Sequence, residues 1–199
     1  MTDRPEASRS GPKLYLVGFM ATGKTTIGQA AASRLGWRFV DLDGRIEAAL
    51  GMTVSLIFRD LGEPAFRDAE SAHLQAAADE PEPGIVATGG GVVLRDRNIL
   101  TMRRSGVIVR LAAGADAVLE RTEDGVTRPL LEGGDRHERV VELMRAREPR
   151  YALADVTVDT EEGEAAAVSA IVEIAAAVVA GRWSPWGCES SLGIADTTS

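Results

Sequence analysis

The stretch Gly18-Phe19-Met20-Ala21-Thr22-Gly23-Lys24-Thr25 follows the spacing G-x-x-x-x-G-K-[ST]. That spacing suits phosphate chemistry. The glycines let the backbone curl until several N–H groups face one anion, and the lysine reaches the outer phosphates. Lys24 is therefore a candidate to hold the β- and γ-phosphates of a nucleoside triphosphate. Thr25 is a candidate to offer its hydroxyl to Mg²⁺. The apolar run Leu14–Val17 precedes the loop and a helical pattern, Thr26–Leu35, follows it. A strand before and a helix N-terminus after are the setting this loop requires. The competing reading is a glycine turn with an incidental lysine, and it leaves that setting unexplained.

A second acidic element lies downstream. Phe39-Val40 runs into Asp41-Leu42-Asp43. If the strand continues, residues two apart share a face and both carboxylates point into one cleft. Phosphoryl transfer needs one carboxylate near the metal and one near the attacking hydroxyl. Asp41 is assigned to the metal shell and Asp43 to the acceptor. Asp43 could instead cap a helix over Gly44–Leu50.

Three arginines and a glycine run complete the candidates. Arg67 and Glu70 are three residues apart at the start of a predicted helix, Ala65–Ala78, and so can meet on one face. Arg67 then either grips an anionic substrate while Glu70 holds it, or forms an ordinary exposed ion pair. Arg128 sits in Glu123–Asp135, a stretch whose glycines suit a mobile lid, and could stabilise charge on the moving phosphoryl group. A solvated loop arginine is the alternative. Arg147 could be a second arginine on a substrate carboxylate, or a cation at the end of a helix predicted over Arg136–Arg147. Gly89-Gly90-Gly91 offers bare backbone amides at a strand end, or is a tight turn. His73 and His137 share no metal-ligand spacing with each other or with Cys188.

These residues need a scaffold. Short apolar runs at Leu14–Val17, Phe39-Val40, Ile85–Ala87, Val107–Leu111 and Val156–Val158 alternate with helical patterns. The further helices are predicted over Val92–Arg103, Ala115–Arg121 and Ala165–Ala180. Continuous apolar runs of this length suit strands buried on both faces, and their alternation with helices implies an α/β fold: a five-stranded parallel sheet flanked by helices. Ligands in such sheets bind at the carboxyl ends of the strands, where the polar motifs lie.

Composition narrows the classes further. The chain has 199 residues, 45% hydrophobic and 26% charged, with a formal net charge of −8. That describes one globular domain, here assigned to 13–180, with an acidic surface that argues against nucleic-acid or membrane partners. Lys13 and Lys24 are the only lysines, so positive charge is nearly all arginine. One cysteine excludes an intrachain disulfide and fits a reducing cytoplasm. Residues 1–12 read as a disordered lead, and 181–199, with Trp183 and Trp186, as a tail.

Taken in order, Gly18–Thr25, Asp41-Leu42-Asp43, Phe66-Arg67 with Glu70, Gly89–Gly91, Arg128-Pro129-Leu130 and Arg147 with Pro149 and Tyr151 resemble the shikimate kinase family. The resemblance spans roughly 13 to 180. It implies a P-loop kinase fold of the nucleoside-monophosphate-kinase kind, with a substrate-binding part near 43–78 and a lid near 123–135. It implies a monomer that uses ATP and Mg²⁺ to phosphorylate the 3-hydroxyl of shikimate, a step towards chorismate. Carried over by position, Ala21, Thr22, Gly23, Lys24, Thr25 and Thr26 would wrap the phosphates. Asp43, Arg67, Gly90 and Arg147 would bind shikimate, with Gly89 and Gly91 beside them. Arg121 would lie beside adenine, and Arg128 would be the lid arginine on ATP. The chain departs from the family after the last strand: Glu161-Glu162-Gly163 stands where a basic residue and a proline are common. The rivals are a gluconate-type sugar-acid kinase and a non-catalytic nucleotide sensor.

Overall fold

The computed structural model of the protein describes residues 11–122 and 136–183. Five parallel strands form one sheet in the order β2-β3-β1-β4-β5. They are β1 (Lys13–Val17), β2 (Arg38–Asp41), β3 (Gly84–Ala87), β4 (Gly106–Ala112) and β5 (Val156–Asp159). The register puts Leu14 opposite both Ile85 and Val107, so the phosphate loop leaves the centre of the sheet.

Strand alternation sorts the core into two faces. Leu14, Leu16, Ile85, Val107 and Val109 pack with α1 (Lys24–Leu35) and α8 (Glu164–Val179) on one side. Tyr15, Val17, Val86 and Ile108 face the other side. There they meet α4 (Gly62–Asp79), α5 (Asp96–Ser105) and α7 (Arg136–Tyr151). Every residue of β1 and β3 is buried, as strands covered on both faces require. The small helices α2 (Leu42–Leu50) and α3 (Val54–Asp60) lie between β2 and α4, and α6 (Ala115–Thr122) follows β4.

Four local expectations need correction. The strand stops at Asp41, and α2 begins at Leu42, so Asp43 sits in a first helical turn rather than on an extended segment. Asp41, not Asp43, is the cap: its side chain accepts from the Gly44 N–H at 3.1 Å. Helix α3 was not anticipated, although Thr53 caps it by accepting from Leu56 N at 3.3 Å. The expected single helix over Val92–Arg103 is a short 3₁₀ turn, Val92–Leu94, an extended Arg95, and then α5.

The fourth correction concerns α7. It runs through Pro149 to Tyr151, which leaves Arg147 inside the helix instead of at its end. Proline at that place forgoes one helix bond. Tertiary contacts hold the turn that follows: Arg150 Nε donates to Val93 O at 2.7 Å and the Tyr151 hydroxyl to Gly90 O at 2.6 Å.

The expected lid at 123–135 with Arg128, the lead up to residue 10, and the tail from 184 with Trp186 and Cys188 lie outside the described residues. Trp183, just before that boundary, packs on the α1–α8 side of the core. Among the described residues no helix is long and apolar enough to cross a membrane, and no group of three or more His, Cys, Asp or Glu could hold a metal alone.

Candidate active site

A cleft of about 440 Å³ opens at the carboxyl ends of β1, β2 and β3, lined by the phosphate loop, Asp41, Asp43, Thr88 and the glycine run. Its loop side is built by local backbone geometry. Ala21 has φ 59° and Gly23 φ 85°, both left-handed. Glycine adopts that conformation freely, whereas alanine pays a steric penalty of about 1 kcal/mol. The loop is braced from inside by the Thr22 hydroxyl, which donates to Phe19 O at 2.9 Å. Lys24 Nζ donates to Gly18 O at 3.0 Å and Phe19 O at 2.6 Å, so the ammonium sits in the curl that the motif predicts for phosphates.

Thr25 and Asp41 meet at the mouth: the threonine hydroxyl donates to Asp41 Oδ2 at 2.8 Å. Two hard oxygen donors at this spacing beside a phosphate loop are a fitting donor set for Mg²⁺. Thr26 lines the same cleft. On the far side of the loop, Arg121 donates to Thr160 O at 3.0 Å, Thr160 Oγ1 at 3.1 Å and Ala21 O at 3.4 Å. It therefore ties the end of β5 to the loop. Glu161 turns away to accept from Gly114 N.

Asp43 lies at the floor. Its Oδ1 is buried and has no hydrogen-bond partner among the described residues. Burial, and then the nearby Asp41 carboxylate, push its pKa above the ordinary range, with Lys24 and Arg67 pulling the other way. Buried acceptors are nearly always satisfied, so an orphan on a residue that lines the cleft is a candidate to take a donor from a ligand.

Arg67 and Glu70 meet as their spacing predicts, but not at the surface. Arg67 is 8% exposed and Glu70 fully buried. Arg67 Nη1 donates to both Glu70 oxygens at 3.0 Å, and Nε and Nη2 donate to Glu63 Oε1 at 3.2 and 3.1 Å. The guanidinium also lies 5.2 Å from the Phe66 ring centre and 5.9 Å from that of Phe58. A side chain on Gly91 would run into it, so the glycine is where the arginine packs. Burial pushes Glu70 up to about 7 against the pull of Arg67.

Arg147 comes in from α7, its guanidinium 5.8 Å from the Phe19 ring centre and next to Gly90. The site thus gathers Lys24, Thr25, Asp41, Asp43, Arg67, Gly89, Gly90, Gly91 and Arg147, with Arg121 on the nucleotide-loop side. Four contributors were missed from the sequence. Glu63 was one of many surface-looking glutamates. Glu47 lines the cleft and accepts from Val54 N at 2.8 Å. Tyr151 was seen only as part of a motif. Arg110 carried a signal, a charge inside the apolar run Val107–Leu111: it makes two bonds to Glu148, at 2.6 and 2.8 Å.

The fold and cleft are those of known proteins. A family described as shikimate kinase matches residues 20–176. The chain belongs to the shikimate kinase family. A shikimate kinase of Gloeobacter violaceus is 50% identical over 149 residues, covering 74% of this chain and 83% of the relative. The solved shikimate kinase of Acinetobacter baumannii, in complex with shikimate, is 32% identical, with TM-score 0.77 over 90% of this chain and 99% of that one. A gluconokinase from Sinorhizobium meliloti shares the fold alone, at 18% identity and TM-score 0.55, over 86% of this chain and 95% of its own. Members of the family are ATP-dependent phosphotransferases, and kinase chemistry of this kind generally calls for a divalent metal.

Proposed function

We propose that the protein transfers the γ-phosphoryl group of ATP to the 3-hydroxyl of shikimate, giving shikimate 3-phosphate and ADP, in the route to chorismate and the aromatic amino acids. Asp43 carries this reading. A buried carboxylate oxygen lacks a donor on a residue that lines the cleft between the phosphate loop and the glycine run. The hydroxyl of an acceptor supplies that donor.

The residues divide the work. Arg67 and Arg147 hold the acid's carboxylate, with Gly90 and its neighbours Gly89 and Gly91 giving backbone contact close by. Asp43 orients the acceptor hydroxyl. Its raised proton affinity suits a general base. The hydroxyl oxygen bonds to the γ-phosphorus as the bond from that phosphorus to the bridging oxygen breaks. The proton passes to Asp43, and ADP leaves. Lys24 exchanges its loop carbonyls for phosphate oxygens and neutralises charge as it develops. Ala21, Thr22, Gly23 and Thr26 shape the phosphate cradle. Thr25 and Asp41 would hold Mg²⁺, which supplies charge neutralisation on the phosphates. Arg121, bonded to Ala21 O and Thr160, is assigned to the adenine end of the nucleotide, and Arg128 to ATP.

The family resemblance suggests a monomer, and sedimentation equilibrium tests that. The single cysteine supports a reducing, cytoplasmic setting. Coupled ADP production with ATP, Mg²⁺ and shikimate tests the function, with gluconate and no-acceptor controls. ADP formed only with shikimate is expected. ADP formed only with gluconate overturns the acceptor.

A further inference from the structure

Tyr151 is 3% exposed and takes no part in the transfer described above. It stands one turn after Arg147 on α7, so the two side chains share a helix face. Its hydroxyl donates to Gly90 O at 2.6 Å, the middle of the glycine run. The Arg147 guanidinium lies beside the same Gly90, and its charge acts on the phenol against the burial that raises the Tyr151 pKa. Arg110 covers the ring, its guanidinium 5.7 Å from the centroid. Two bonds to Glu148, the residue after Arg147, fix that guanidinium in turn.

A buried tyrosine needs only one partner for its O–H, and any core carbonyl or water would serve. Here the partner is the backbone of the glycine run, beside which the Arg147 guanidinium of the same helix also lies. One hydroxyl therefore joins the two elements that form the carboxylate end of the cleft. The C-terminal end of α7 is tied by side chains to β4 and to the segment after β3. Tyr151, Arg110–Glu148 and Arg150 are those side chains.

We propose that Tyr151 is a positioning residue for the acidic substrate: its hydroxyl sets Gly90 and Arg147 at the separation that receives a carboxylate, and Arg110 braces its ring. The proposal deepens the functional reading above and rests on it. Tyr151 touches neither nucleotide nor reacting atoms, so its loss should act on binding of the acid alone.

The test is steady-state kinetics of Tyr151→Phe and Arg110→Met beside the unaltered chain, with thermal melting of each. Tyr151→Phe keeps the ring and removes only the joint. It is expected to raise KM for shikimate about fivefold to tenfold, the worth of one hydrogen bond, with kcat and the KM for ATP within about twofold. Arg110→Met is expected to move KM the same way by a smaller factor, and it tests the brace should the phenylalanine variant fold poorly. An unchanged KM for shikimate with only a lowered Tm overturns the proposal, since that is how a merely packed tyrosine behaves. A joint rise in both KM values also overturns it. If the unaltered chain makes no ADP with shikimate, the functional reading fails first and the proposal falls with it. Turnover by that chain with no KM change in either variant sinks the proposal alone.

Discussion

The carboxylates of Asp43 and Glu70 converge on the bare face of Gly89. A side-chain carbon placed there would come within 2.8 Å of Asp43 Oδ1 and 2.9 Å of Glu70 Oε1. Asp43 and the glutamate that holds Arg67 are thus packed through one missing methyl group. Gly89→Ala is expected to push both carboxylates off position at once. Steady-state kinetics should show kcat down at least about tenfold together with a raised KM for shikimate, since small misplacements of a positioned group are costly. A variant with unaltered kinetics would show that the two carboxylates move freely.

The same pair gives the protein a pH dependence. Glu70 is pushed by burial from 4.5 to about 7 in the folded state. The folded chain then binds a proton more readily than the unfolded chain between those values. Stability therefore falls as pH rises through that window, and Asp43, also raised by burial, contributes with the same sign. Urea unfolding at several pH values between 5 and 8 measures the slope. Glu70→Gln should flatten it, and an unchanged slope would remove Glu70 as its source.

Asp43→Asn separates activity from stability. The orphaned Oδ1 is a cost to the folded state, so asparagine should leave Tm unchanged or raise it. Loss of the proton acceptor should lower kcat by about 100-fold or more at saturating substrates. Full turnover in the variant would end the assignment of Asp43 as base.

Arg67 and Arg121 should report on different ligands. Arg67→Ala is expected to raise KM for shikimate with the KM for ATP nearly unchanged. Arg121→Ala cuts the tie from Thr160 to Ala21 O and should raise the KM for ATP alone. A swapped pattern would invert the two halves of the cleft.

Lys13 should matter to stability and not to turnover. Its ammonium is buried against three carbonyls, Gly11 O at 2.9 Å and Glu80 O and Glu82 O at 2.7 Å. Lys13→Met strands those carbonyls and should cost about 1–3 kcal/mol in chemical denaturation, with both KM values unchanged.

What the sequence determined by itself was local. The phosphate loop is legible because its chemistry belongs to consecutive backbone N–H groups, which need only glycine at the turns and a lysine after them. The central strands β1 and β3 are legible because strands covered on both faces must be apolar along their whole length. The Arg67–Glu70 contact is legible because helix geometry brings residues three apart together. Which charge is buried, and against what, is a different kind of fact. The spacing of Asp41 and Asp43 suits a strand, yet the turn into α2 swings Asp43 to the cleft beside a glycine 46 positions later. Its loop marks Lys24 in the sequence, whereas nothing there marks Lys13, whose carbonyl partners include Glu80 and Glu82 from far along the chain. Tyr151, Arg110 and Glu63 gain their places through contacts across the sheet or around one guanidinium. Desolvation and long-range hydrogen bonds depend on the packed three-dimensional surroundings, which no window of neighbouring residues contains, so the tertiary structure alone decided them.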